Sequence, residues 1–213
     1  MNINGKMIFK IREKVISEKL STRVLWLTIV FVVIFYGVTV FSYFVLPDGF
    51  LLKRNSVTNF KTSENLIICA MQIFSYNMIS IVVIMFGSLF ARKKEGEKGY
   101  KSYGCLGFFV FTILNAITLG TWSFTVNVNS VPLIERITRT FDIIHNAGLL
   151  EMYGQLLITS ALATKYLVMT EGKNTTTRRL KDLKIETLEI ITFICGLLLM
   201  FVGALIESHA IVS

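Results

Sequence analysis

From Val24 to Leu46 the chain runs without a single charged side chain, and it stops only at Pro47-Asp48-Gly49. A helix of that length, rising 1.5 Å per residue, covers the roughly 30 Å of a bilayer's hydrocarbon core. A helix on a water-soluble core would need a polar stripe, which this segment lacks. The chain is therefore expected to enter a membrane, and four further apolar stretches decide how often it crosses. With the first span at about 24–46, the others fall at about 65–91, 104–127, 143–169 and 189–207. The second carries Gln72 and Asn77 and ends at Arg92-Lys93-Lys94. The third is rich in Gly and aromatic residues around a central Asn115. The fourth is interrupted by His145-Asn146-Ala147-Gly148, where a break or re-entrant turn is expected. Composition agrees, with 53% hydrophobic residues, a mean hydropathy of +0.62 and two prolines. The expected fold is all-α, a polytopic membrane helix bundle of about five transmembrane helices, occupying residues 24–213 as one transmembrane domain.

Direction follows from the cations. Lys and Arg in short loops are retained on the cytoplasmic side. They gather in the amino-terminal flank (Lys6, Lys10, Arg12, Lys14, Lys19, Arg23), in the loop after the second span (Arg92, Lys93, Lys94, Lys98, Lys101) and in the loop after the fourth (Lys173, Arg178, Arg179, Lys181, Lys184). The alternate loops hold only Lys53, Arg54, Lys61, Arg136 and Arg139, and Lys165 near the end of the fourth span can snorkel inward. The amino terminus is thus expected in the cytoplasm and the carboxy terminus outside. The formal charge of +8 is interleaved with apolar runs, so anionic lipid is the expected partner and nucleic acid is not. Residues 1–23 form a basic cytoplasmic segment in which 6–22, with Ile8, Ile11, Val15 and Leu20, suit an amphipathic helix at the headgroups. Residues 130–142 suit a similar element outside.

Cys69, Cys105 and Cys195 all lie in apolar segments, so no disulfide framework is expected. The first span is too long for a signal-peptide core and lacks a following cleavage site, which makes it a retained anchor. No H-E-x-x-H, paired Cys-x-x-Cys, G-x-S-x-G or P-loop occurs, so no catalytic residues, metal or cofactor are assigned and the chain is read as a non-enzyme. A zinc site from His145, His209, Glu151 and Glu207 has nothing to fix its geometry.

Intramembrane ionisable groups are costly and face a bundle interior or a water-filled cavity. Glu151 is the principal one here. Gln155 follows at i+4 on the same helical face, and Gly148 at i−3 admits a neighbouring helix. Asn77 and Asn115 can hydrogen-bond between helices, or line a polar track if their faces converge. The candidate functional residues are accordingly Asn77, Asn115, His145, Glu151, Gln155 and Glu207. Arg92, Lys93, Lys94, Arg178 and Arg179 are candidates for contact with a partner on the cytoplasmic side.

The order of polar marks from about residue 65 onward resembles the stage II sporulation protein M family of bacterial membrane proteins. The marks are Phe74-Ser75-Tyr76-Asn77 with Gly87, Asn115-Ala116 where the family carries Asn-Gly, His145 through Glu151 for a His-Gly-x-x-Glu-like element, and Ala204-Leu205-Ile206-Glu207. The resemblance implies a five- or six-helix, non-enzymatic subunit in the bacterial cytoplasmic membrane that works with other proteins. The expected function is a non-catalytic integral membrane subunit of a multiprotein transport or export assembly, associated with an ABC transporter and linked to antimicrobial-peptide export or immunity. Its expected partners are other membrane subunits or copies of itself, and a cytoplasmic ATPase. The alternative is a sporulation-type membrane scaffold that recruits cell-wall-remodelling proteins.

Overall fold

The computed structural model describes residues 10–52, 63–94, 97, 99–124, 131–142 and 147–213. In chain order the elements are α1 (Leu20–Val45), α2 (Leu66–Ser88), β1 (Phe90–Lys93), β2 (Lys101–Ser102), α3 (Tyr103–Gly120), α4 (Leu133–Arg139), α5 (Gly148–Leu162), β3 (Val168–Glu171), β4 (Asn174–Thr177) and α6 (Thr187–Val212). The protein is mostly helical, and α1, α2, α3 and α6 are long and apolar enough to cross a membrane. Their exposed faces carry Leu, Ile, Val and Phe, including Val33, Phe44, Ile79, Phe86, Leu106 and Leu198. Only lipid or another apolar surface accommodates side chains of that kind in such density.

Helix starts are set by local capping. Asn65 accepts from the backbone N–H groups of Ile67 and Ile68 to open α2, and Ser102 accepts from Gly104 to open α3. At α6 the side chains of Glu186 and Glu189 form a reciprocal capping box. The shared core contains Leu27, Phe31, Phe35, Ile81, Ile84, Phe108, Met152, Leu156 and Met200, with Phe31 stacked on Phe35 at 5.6 Å.

The fourth apolar stretch departs most from expectation. In place of a span reaching from 143 to 169, α5 covers 15 residues, about 22 Å of rise, and the chain enters strand β3 at Val168. Residues 143–146 lie outside those described. An apolar run does not by itself distinguish buried helix from buried strand. Here Val168–Glu171 finds a parallel partner in Phe90–Lys93, and the backbone leaves the helix to make that ladder. α5 is the central helix, packed against each of α1, α2, α3 and α6. Its closest neighbour is α6. A Cβ on Gly154 would lie 2.6 Å from the Gly196 carbonyl oxygen, and one on Gly196 would lie 2.7 Å from that of Gly154. Only a pair of glycines permits that backbone approach.

The all-α expectation is also corrected by a small sheet, of order β2-β1-β3-β4, built from the two basic loops after the second and fourth stretches. β1 pairs antiparallel with β2, and β3 with β4. The second span consequently ends at Ser88 rather than 91. The third ends at Gly120 rather than 127, where Trp122 takes a φ of 50° in a turn bonded to the loop before α2 through Gly49 N–H and the Thr121 carbonyl. The first begins at Leu20 and the last runs from Thr187 to Val212.

Two arginines assigned to polar flanks are fully buried. Arg23 lies inside α1, and Arg136 on α4 bonds the Gly120 and Val131 carbonyls and pairs with Asp48 at 2.7 Å. The expected outer helix at 130–142 does form, over Leu133–Arg139, but it is fastened inward by the residue assigned to its wet face. In the amino-terminal segment, residues 10–15 are helical. Val15 packs on the core and Ile16 on Gly99, so this piece contacts the bundle as well as presenting charge.

Candidate functional site

The described polar candidates of the membrane region converge on α5. Glu151 stands in its first turn, where the positive end of the helix dipole favours a carboxylate. Asn77 Nδ2 on α2 donates to Glu151 Oε1 at 2.5 Å. One turn further along both helices, Gln155 Nε2 donates to Ser80 Oγ at 3.0 Å, and Ser80 Oγ donates to the Asn77 carbonyl at 2.6 Å. The i, i+3 spacing of Asn77 and Ser80 meets the i, i+4 spacing of Glu151 and Gln155, so α2 and α5 are joined by two rungs of hydrogen bonds.

These rungs border open space. A cavity of about 130 Å³ is lined by Asn77, Asn115, Glu151 and Gln155 against Phe35 and Leu119. A wider cleft of about 770 Å³ between α2 and α3 shares Asn77, Asn115, Phe124 and Gln155 with it and adds Tyr76, Ser80 and Thr118. α2 and α3 touch closely at their sheet-proximal ends, where a Cβ on Gly87 would lie 3.0 Å from the Gly104 nitrogen. The cleft lies further along the same pair, towards the opposite end. Asn115 itself is exposed on the cleft wall, whereas Gln155 is buried.

Glu207 is exposed on α6, one turn beyond Gly203, where a Cβ would lie 2.7 Å from Glu151 Cγ. The two carboxylates therefore belong to one end of the bundle. Among the described residues no Lys or Arg lines either cavity, and the residues that line them suit a hydrogen-bond donor or a cation better than an anion. His145 lies outside the described residues. Among the described residues no group of three or more His, Cys, Asp or Glu is placed to hold a metal ion. Gln72 stays out of the cleft and accepts instead from the Ser63 N–H at 3.0 Å.

At the other end of the bundle lies a buried ionic cluster whose members lie far apart in the sequence. The Arg23 guanidinium donates to Glu189 Oε1 at 3.0 Å, to the Ser160 carbonyl at 2.6 Å and to the Ser17 carbonyl at 2.9 Å. Lys165 Nζ reaches Glu189 Oε2 at 2.6 Å and the Lys184 carbonyl at 2.8 Å. The snorkelling expected of Lys165 thus ends on a carboxylate. This cluster fastens the starts of α1 and α6 to the end of α5.

The sheet carries the basic candidates. Lys93 pairs with Glu171 at 2.8 Å and lies over the Tyr100 ring, which leaves Arg92, Lys94, Arg178 and Arg179 as the exposed ones among these candidates. The hydrogen bond to Lys93 holds the Glu171 carboxyl below the usual carboxylate range, and Glu171 in turn raises Lys93. Lys101 does the same to Glu97, at 2.5 Å. Arg178 also stacks over Tyr166. Ser80 was missed in the sequence, although its i+3 spacing from Asn77 is the signal that finds it. Arg23 with Glu189 was not, because nothing local links residues 166 positions apart.

No family model, curated protein or solved structure matches the chain.

Proposed function

We propose that this chain is a non-catalytic subunit of a multiprotein transport or export assembly in the bacterial cytoplasmic membrane, crossing the bilayer five times with its amino terminus inside. The observation that carries the reading is the cleft. Asn77, Ser80, Asn115, Glu151 and Gln155 meet at a lateral opening between two lipid-length helices, an arrangement suited to receiving a polar group within the bilayer. In this reading α5 is the core of the fifth pass. The four-stranded sheet then lies on the cytoplasmic side, with exposed Arg92, Lys94, Arg178 and Arg179 facing a soluble partner such as an ATPase. Antimicrobial-peptide export or immunity is the role that the family resemblance adds.

Cross-linking in the native membrane followed by purification in mild detergent tests this. Defined subunits should co-purify, and Glu151→Gln should leave them bound while impairing the transported flux. A protein that elutes alone and cross-links to nothing ends the proposal. A scaffold that recruits wall-remodelling proteins is the second reading, favoured by Ile134 and Phe141, exposed at 77% and 63% on and beside the firmly anchored α4.

A further inference from the structure

Strand β4 is an open edge. Asn174, Thr175, Thr176 and Thr177 are all exposed, and among the described residues β4 pairs only with β3. The register fixes which backbone groups are already used. Val168 N–H bonds the Leu89 carbonyl on the β1 side, whereas Arg178 N–H bonds the Leu167 carbonyl on the β4 side. With Val168 opposite Thr177 and Thr170 opposite Thr175, antiparallel alternation turns the N–H and C=O groups of Thr175 and Thr177 away from β3.

Natural sheets guard such edges with proline, an inward charge or a bulge. β4 has none of these, and its β-branched threonines favour extended backbone. Its charges sit at its two ends, where Lys173 precedes it and Arg178 and Arg179 follow, all exposed. A second copy pairing antiparallel through the outward groups, Thr175 opposite Thr177, would set Lys173 against Arg179, and like charges placed opposite each other repel.

We propose that β4 is a docking edge for an extended, acidic segment of a cytoplasmic protein, which adds a fifth strand through the outward groups of Thr175 and Thr177 and is held by Lys173, Arg178 and Arg179. The cytoplasmic placement rests on the topology proposed above, and the edge chemistry does not. Strand addition derives affinity from main-chain hydrogen bonds and selectivity from flanking side chains.

The test uses the full chain in detergent micelles and two synthetic fluorescent twelve-residue peptides, one alternating Thr with Glu and the other Thr with Lys, read by anisotropy. The acidic peptide should bind at least tenfold more tightly than the basic one, and more weakly as salt rises. Thr175→Pro with Thr177→Pro removes the outward donors without touching a backbone hydrogen bond between β3 and β4, at the cost of the Thr170–Thr175 hydroxyl contact, and should weaken the acidic peptide at least tenfold. Reversal of Lys173, Arg178 and Arg179 to Glu leaves the backbone alone and should invert the peptide preference. Equal binding of both peptides, or binding unaffected by both sets of changes, overturns the proposal. So does a wild-type dimer abolished by the proline pair, which would make a second copy the occupant. Peptide binding in micelles does not depend on co-purification from the native membrane, so failure of the edge and failure of the assembly reading are told apart.

Discussion

Replacing Arg23 by Ala removes a guanidinium that is fully buried and bonded in several directions at once. Its Nε and two terminal nitrogens reach the Ser160, Ser17 and Glu18 carbonyls, Thr164 Oγ1 and Glu189 Oε1. Glu189 would keep Lys165 at 2.6 Å and its bond from the Glu186 N–H, so the carboxylate is not stranded. The carbonyls of Ser17 and Ser160 would lose a charged donor. Breaking a buried ion pair on one side costs about 3–5 kcal/mol, and the retained Lys165 argues for the lower half of that range. For a chain of this size about 1 kcal/mol moves a thermal midpoint by about 2–4 °C, so a fall of about 6–16 °C is expected. The assay is thermal unfolding of the detergent-solubilised protein, followed by retained monodispersity, for Arg23→Ala, Glu189→Ala and the double variant. The double variant should lose less than the two single losses together, by about 0.5–3 kcal/mol of coupling. A midpoint moved by less than about 2 °C, under one kcal/mol, or strictly additive changes, would refute the claim that this cluster holds that end of the bundle.

Other tests address other parts of the molecule. Gly154→Ala or Gly196→Ala should each destabilise by about 1–3 kcal/mol by prising α5 from α6, whereas Gly37→Ala, whose Cβ would meet nothing within 4 Å, should be neutral or stabilising in the same melts. The Glu97 and Glu171 carboxylates sit below their usual range, so the stability they lend the sheet is present above the ordinary Glu range and lost as pH falls through their folded-state values. Lys93, raised, lends stability that is lost only as pH climbs through its own elevated value. Side-chain NMR titration should place both carboxylates below, and Lys93 above, their free-peptide midpoints. Thr175→Cys should react with an impermeant maleimide in inverted vesicles and stay silent in intact cells; labelling from outside would reverse the proposed topology.

Much of the bundle follows from local order. An uncharged run longer than the bilayer core has one way to satisfy its backbone there, so α1, α2, α3 and α6 could be placed from hydropathy alone. The pairing of Glu151 with Gln155 on one face also follows from helical periodicity, as does the interest of Asn77 and Asn115. Which of these residues meet was decided only by packing. Asn77 finds Glu151 because α5 runs through the middle of the bundle, and α5 can do so because Gly154 and Gly196 let two backbones touch. Pairings distant in sequence leave no periodic trace, so the Arg23–Glu189 bond and the β1–β3 ladder were invisible. For the same reason an apolar stretch counted as one long span divides into a central helix and a strand: its composition satisfies lipid, helix core and sheet core alike, and only the neighbours it meets in three dimensions choose among them.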